Sequence, residues 1–143
     1  DLISNVWQLD LKNDIEPNHN GFKEKPYILV DGDCFSTTGH VCSIIKEKQF
    51  GILIGEETGG TFTCNDNSFT MNLEHTGLAL SVARRTFSTS VTSLPNDRGV
   101  LPDFEMKQTF EDIINNRDLE ISYAIKLIST NKKKLLTTKP KKH

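Results

Sequence analysis

The sequence predicts an α/β fold of βαβ units with an added antiparallel hairpin and a C-terminal helix. Three observations carry that prediction. Two short apolar runs, Tyr27-Ile28-Leu29-Val30 and Phe50-Gly51-Ile52-Leu53-Ile54-Gly55, flank a segment whose apolar residues Val41, Ile44 and Ile45 recur at helical spacing. Between residues 69 and 82 the apolar positions change to strict alternation, the period of a half-exposed strand. Near the end, Ile121, Ala124, Ile125 and Ile128 form a second helical stripe.

In chain order, residues 1–12 carry a weak apolar pattern (Leu2, Ile3, Val6, Trp7, Leu9, Leu11) that suits a helix or a strand. Residues 13–25, with Pro17, three asparagines and Gly21, read as a loop or linker. An α/β enzyme domain rarely begins in this way, so the expectation is that the N-terminal part of a larger domain precedes this chain. Tyr27-Ile28-Leu29-Val30 is short and rich in strand formers, which fits a strand buried on both faces. The polar link Asp31-Gly32-Asp33-Cys34-Phe35 then leads to Ser36, which opens the helical segment.

Strand, helix and strand imply a parallel pair joined by a crossover. The loops after both strands then emerge at the carboxyl end of the sheet, where open α/β sheets place their ligands. The second of these loops is Gly55-Glu56-Glu57-Thr58-Gly59-Gly60-Thr61. It is neither a GxGxxG turn into a helix nor a GK[ST] phosphate loop. Its glycines allow two readings: positive φ at Gly59 or Gly60, or a backbone that approaches a substrate chain closely.

Phe69, Met71 and Leu73, a turn at His75-Thr76-Gly77, and then Leu78, Leu80 and Val82 make a hairpin. Residues 85–91 extend it, and residues 94–105 form a loop with two prolines and a glycine. The last helix is expected over 109–129, starting at a capped Thr109-Phe110-Glu111-Asp112 and broken at Asn115-Asn116. Residues 1–130 are assigned to the folded domain. Residues 131–143 are assigned to a basic flexible tail, solvated and not a nucleic-acid patch.

Composition narrows the classes. The chain has 143 residues, about one domain, and its net charge of −2 offers no general attraction to nucleic acid or a membrane surface. No run approaches the roughly 18 apolar residues of a membrane-spanning helix. Cys34, Cys42 and Cys64 lack metal-ligand spacing and cannot all pair with one another. Free, buried thiols are the simplest reading of Cys34 and Cys42; Cys34 as a nucleophile would need a pKa-lowering neighbour that the sequence does not show. No cofactor motif is present.

A serine at a strand-to-helix turn has two readings. It caps the helix, or it is a nucleophile placed beside backbone donors, as in acyl-transfer enzymes. The Thr37 N–H, with the Gly59-Gly60 backbone nearby, would supply oxyanion donors. The base is harder to find. His19 lies in the linker, His75 in the hairpin turn, and His143 at the tail end. His40 is one helical turn after Ser36 but would point along the helix. Glu56, Glu57, Asp97 and Asp103 are acids available to orient a base supplied from elsewhere. Arg84 and Arg85 are most simply solvated charges, though either suits a carboxylate.

In order, YILVDGDCFSTTGH, GILIGEETGG, a hairpin and RGVLPD resemble the tail-specific, C-terminal processing and tricorn-core serine peptidases over roughly residues 22–105. That resemblance implies a ClpP/crotonase-like fold and peptide-bond hydrolysis through Ser36, with the Thr37 N–H as one oxyanion donor. Gly55, Glu56, Thr58 and Gly60 fall on the family's glycine loop, where Gly59, Gly60 and Thr61 are expected to bind substrate, and Gly99, Pro102 and Asp103 fall on the closing motif. The processing branch has a lysine base where Thr61 stands here, and many relatives have glutamate where Gly39 stands. The match therefore leans to the tricorn-like branch, in which the base is an upstream histidine and an acid near Asp97 completes the site. The glycine motif that supplies the other oxyanion donor is absent from this chain.

The resemblance implies no metal or other cofactor. It implies a peptide or unfolded protein as substrate, and it is compatible with a homo-oligomer and with export to the periplasm or cell envelope. By itself this chain is expected to be inactive. A noncatalytic relative that binds a peptide or an apolar small molecule in the same cleft is the alternative. A crotonase-type acyl-CoA enzyme fits less well, because its chemistry does not require a serine at this turn.

Overall fold

A computed structural model describes residues 19–137. The helix-or-strand expectation for residues 1–12 and the first part of the linker lie outside the described residues. Residues 19–26 contain neither helix nor strand.

Strand β1 spans Tyr27–Val30, helix α1 spans Thr37–Lys48 and strand β2 spans Ile52–Gly55. β1 and β2 pair in parallel, with Tyr27 opposite Ile52 and Val30 opposite Gly55, which is the predicted crossover. α1 ends where Gln49 turns left-handed (φ 56°), its N–H donating to the Lys46 carbonyl while the Phe50 N–H donates to that of Ile45. Lys46 and Lys48 in the last turn oppose the negative end of the helix dipole.

Four short strands follow. β3 (Thr63–Asp66) pairs antiparallel with β6 (Arg85–Ser88), and β4 (Phe69–Asn72) pairs antiparallel with β5 (Ala79–Val82). The two ladders form one long ribbon, interrupted where Asn67 adopts φ 55° and the Arg84 N–H donates to the Asp66 carbonyl. The predicted hairpin is its outer half, closed by Gly77 at φ 68°. Residues 85–88 do extend the hairpin, but as the partner of β3, a strand that the sequence does not announce.

The two-residue strand β7 (Phe104–Glu105) joins β2 in parallel, giving the sheet order β1-β2-β7. β2 is therefore central, and its Leu53 and Ile54 are completely buried. Each contributes about 1.5–3 kcal/mol from apolar area removed from water. β1 lies at the sheet's edge and leaves Leu29 40 % exposed, so the burial on both faces expected of β1 is found in β2 instead. Val41 likewise turns to solvent, and the buried side of α1 is carried by Gly39, Cys42 and Ser43. Val30, Cys42, Leu53 and Val100 form the core between sheet and helix, with Ile28, Cys34, Ile45 and Leu94 around them.

The C-terminal helical region is two helices, α2 (Phe110–Ile114) and α3 (Leu119–Thr137). A capping box starts α2: the Asp112 N–H donates to Thr109 Oγ1, and the Thr109 N–H donates to the Asp112 carboxylate. The predicted break falls at Asn116, left-handed at φ 51°. α3 runs past the expected end at residue 129. It lies against β1 and β2, with Ala124 buried, Tyr123 packed on Phe104 at 5.2 Å between ring centroids, and Asn131 donating to the Tyr27 hydroxyl at 2.7 Å. Among the described residues no helix is long and apolar enough to cross a membrane.

One carboxylate ties α1 to the loop before the closing motif. Glu47 accepts hydrogen bonds from the Thr92 N–H at 2.7 Å and from the Ser93 N–H and hydroxyl at 3.0 Å each. The two backbone bonds pull its carboxyl down to about 2. A depressed folded-state pKa means that the unfolded chain binds the proton more tightly. This contribution to stability is therefore full above the ordinary value of 4.5 and is lost as pH falls toward about 2. Glu47→Gln is expected to lower Tm at pH 7 and to flatten the fall in Tm over that window. Parallel acid profiles for the two proteins would contradict the assignment.

Candidate active site at the Ser36 turn

The link from β1 to α1 is wound tightly by its own polar groups. The Cys34 N–H donates to the Asp31 carbonyl, the Phe35 N–H to the Asp33 carbonyl, and the Asp33 N–H to Asp31 Oδ1. This winding leaves Ser36 at φ 53°, ψ −129°, a region that residues with a side chain occupy at a cost of about 1–3 kcal/mol. The Ser36 carbonyl accepts the His40 N–H at 3.1 Å and so starts the helix. Its hydroxyl makes no capping bond, and the residue is exposed. Of the two sequence readings, the side-chain cap is not what the structure contains. Glycine would occupy this turn at lower cost, so strain is borne where a free hydroxyl is presented at a helix N-terminus. The next amide, Thr37 N–H, belongs to the first turn, where helices leave donors without helical partners.

The glycine-rich loop lies directly against this turn. A Cβ at Gly60 would stand 2.8 Å from Phe35 Cα and 3.1 Å from the Ser36 nitrogen, and one at Gly39 would stand 2.7 Å from the Gly60 carbonyl carbon. Neither Gly59 nor Gly60 has positive φ; in this loop that conformation belongs to Gly55, at 131°. Close backbone approach is therefore what the loop's glycines provide, and the neighbour they approach is the Ser36 turn. The Gly60 N–H donates to the Cys34 carbonyl at 3.1 Å, so this amide is committed and is not a free oxyanion donor. Thr61, beside Gly39, donates its hydroxyl to the Pro95 carbonyl at 3.4 Å.

The closing motif joins the same cluster through Thr58, which is 2 % exposed. Thr58 Oγ1 accepts the Val100 N–H at 2.7 Å and donates to the Gly60 carbonyl at 2.6 Å, while the Thr58 N–H donates to the Val100 carbonyl at 3.2 Å. All three sequence motifs thus meet within a few residues of Ser36.

The acids separate into roles. Asp103 accepts the Leu53 N–H at 2.8 Å and pairs with Lys46 Nζ at 2.5 Å. Partial burial pushes its carboxyl up, but the lysine and the backbone bond outweigh this and hold it below its ordinary value. Asp103 therefore fixes β7 beside β2 and is committed to that task. Glu57 is bound by Arg98, whose hydrogen bonds keep its carboxyl low. Asp97 lies exposed on the loop beside Arg98, and Glu56 is half-buried at the start of the glycine loop.

Among the described residues, none makes a hydrogen bond to the Ser36 hydroxyl. His40 Nε2 is closed off from solvent without a partner, His75 sits at the ribbon tip, His19 is exposed, and His143 lies outside the described residues. Cys34 Sγ faces the Asp31 carboxylate at 3.6 Å and not a cation, and burial raises the Cys42 thiol. Sequence reasoning missed Thr58 as the junction of the two loops, as well as the Glu57–Arg98 and Lys46–Asp103 pairs. The available signal was a Thr and a Glu inside GEETGG and a basic residue just before GVLPD.

The model of peptidase family S41 matches residues 7–106. The chain belongs to peptidase family S41, a family of peptidases. Among solved structures it is similar to the tricorn protease, with a TM-score of 0.48 and 21 % identity, over 73 % of this chain and 10 % of that one. The chain thus spans about a tenth of the length of that protein. No curated protein matches the sequence.

Proposed function

We propose that this chain is the C-terminal part of a serine peptidase catalytic domain of the tricorn-like branch, and that Ser36 is its nucleophile. The observation that carries the reading is the strained Ser36 turn, with a hydroxyl bonded to none of the described residues and the glycine loop seated against it. In the longer protein, an upstream histidine removes the Ser36 proton as Oγ attacks a peptide carbonyl, and Asp97 orients that histidine. The Thr37 N–H holds the developing oxyanion together with a donor from the upstream segment. Gly59, Gly60 and Thr61 line the path of the peptide. Thr61 standing in place of the lysine base of processing peptidases supports the histidine-dependent branch, and residues 1–130 form this chain's share of a ClpP/crotonase-like domain. The substrate is an unfolded or C-terminal peptide segment, and neither a metal nor another cofactor takes part.

Hydrolysis of a fluorogenic unstructured peptide by the full-length protein and by residues 1–143 alone tests the reading. Turnover by the full-length protein alone is expected. Equal turnover by the isolated chain would contradict the upstream base, and turnover by neither would contradict the peptidase reading and favour a binding protein.

A further inference from the structure

Beyond Gly55 the glycine loop carries no element of regular structure, yet its backbone lies within van der Waals contact of the Ser36 turn. Something must fix its register. Thr58 supplies neutral hydrogen bonds; the loop's charged tether is Glu57. Arg98 Nε donates to Glu57 Oε1 at 3.0 Å and Nη2 to Oε2 at 2.5 Å, a two-pronged pair spanning 41 residues of sequence. This fork geometry confers direction as well as attraction. The next residue, Gly99, packs so closely on the Thr58 carbonyl that a Cβ there would stand 1.6 Å from its oxygen. Residues 98–100 are thus zipped along 57–58 at three successive points. Two residues further on, Gly60 bonds the Cys34 carbonyl and abuts the Ser36 nitrogen.

We propose that Glu57 and Arg98 are positioning residues for the reaction at Ser36. Their bidentate pair latches the glycine loop to the closing motif and so sets where Gly60 holds the Ser36 turn and where Gly59 and Thr61 meet the peptide. This inference rests on the proposed function but does not require Ser36 chemistry for its first readout. The pair is half exposed at both ends, so its direct effect on global stability is small. Its effect on the reaction is larger, because a displacement of about 1 Å near a reacting centre costs up to about 100-fold.

The test uses the full-length protein and the variants Arg98→Ala, Arg98→Lys, Glu57→Gln and the charge-exchanged double Glu57→Arg/Arg98→Glu. The first readout is amide hydrogen exchange at Gly60, whose N–H bond reports the seating of the loop. Arg98→Ala and Glu57→Gln are expected to speed Gly60 exchange at least about 10-fold while the β2 amides keep their protection. The second readout is peptide hydrolysis, in which kcat falls about 10- to 50-fold with KM changed less than about threefold. Arg98→Lys keeps the charge but not the fork and is expected to be intermediate, and the exchanged double variant recovers most of the lost kcat.

Unchanged Gly60 exchange in Arg98→Ala overturns the latch whether or not the protein is active. Faster exchange with unchanged kcat overturns its role in positioning. Loss of β2 protection, or no recovery in the double variant, assigns the pair to general stability and also overturns it. A wild-type protein without hydrolytic activity refutes the proposed function and the catalytic part of this inference together; the exchange data then decide the loop tether separately.

Discussion

Ser36→Ala in the full-length protein is expected to lower kcat/KM for peptide hydrolysis by at least about 10³-fold, with the fold intact. In the proposed mechanism Oγ forms the bond to the acyl carbon, and among the described residues no neighbouring side chain is placed to replace it at that turn. Cys34 faces a carboxylate, and the Cys42 thiol is buried. A second substitution separates the nucleophile from the architecture. At φ 53°, ψ −129°, Ser36→Gly removes the side chain that makes this conformation costly. It is expected to stabilise the protein by about 1 kcal/mol, a rise of a few degrees in Tm, while activity is lost as in the alanine variant. A merely capping serine predicts the reverse: loss of stability on removal of the hydroxyl and unchanged turnover. Calorimetry and a peptide assay on the two variants decide between these outcomes.

Gly99→Ala is expected to cost a large share of the stability of this fold. Its Cβ would stand 1.6 Å from the Thr58 carbonyl oxygen and 2.7 Å from the carbonyl carbon, both backbone atoms that no rotamer change can move aside. To open that contact by more than 1 Å, residues 98–100 must leave 57–58. Both Thr58–Val100 hydrogen bonds are then broken, and Val100, 2 % exposed, is drawn out of the core. Overpacking against rigid backbone, together with the loss of two buried bonds, places the cost at about 3–5 kcal/mol. Urea unfolding is expected to show a lowered midpoint with little change in slope. A loss below about 1 kcal/mol would mean that the loops separate freely, contrary to the packing described above.

What the sequence disclosed and what it hid follow from where each signal resides. β2 was legible because a central strand buried on both faces is apolar throughout. β1 has the same composition, yet its edge position leaves Leu29 open, and composition does not distinguish an edge from a centre. β3 was hidden because Thr63-Cys64-Asn65-Asp66 shows no alternation; pairing with residues 85–88 makes it a strand. β7 was hidden behind Pro102 and is held by Asp103, whose partners Lys46 and Leu53 lie 57 and 50 residues away. The helix break at Asn116 was legible, because asparagine tolerates the left-handed conformation found there. The extension of the last helix beyond residue 129 was obscured by a lysine-rich composition that suits a solvated end as well as a helix.

The candidate site divides in the same way. The place of Ser36 at a strand-to-helix turn and the order of the motifs were local and readable. The seating of Gly60 on this turn and the Glu57–Arg98 fork were not, since each joins segments far apart in sequence; the strain at Ser36 is local, but no residue type in the link announces it. Among the described residues none is bonded to the Ser36 hydroxyl, so no general base was legible there.

The central claim is that the hydroxyl presented at this strained turn is a nucleophile. Reaction of the full-length protein with a fluorophosphonate probe, followed by peptide mapping, tests it most directly. The expected result is one covalent adduct on Ser36, absent from Ser36→Ala and suppressed by competing peptide substrate. An adduct on another residue, or undiminished labelling of Ser36→Ala, would contradict the account.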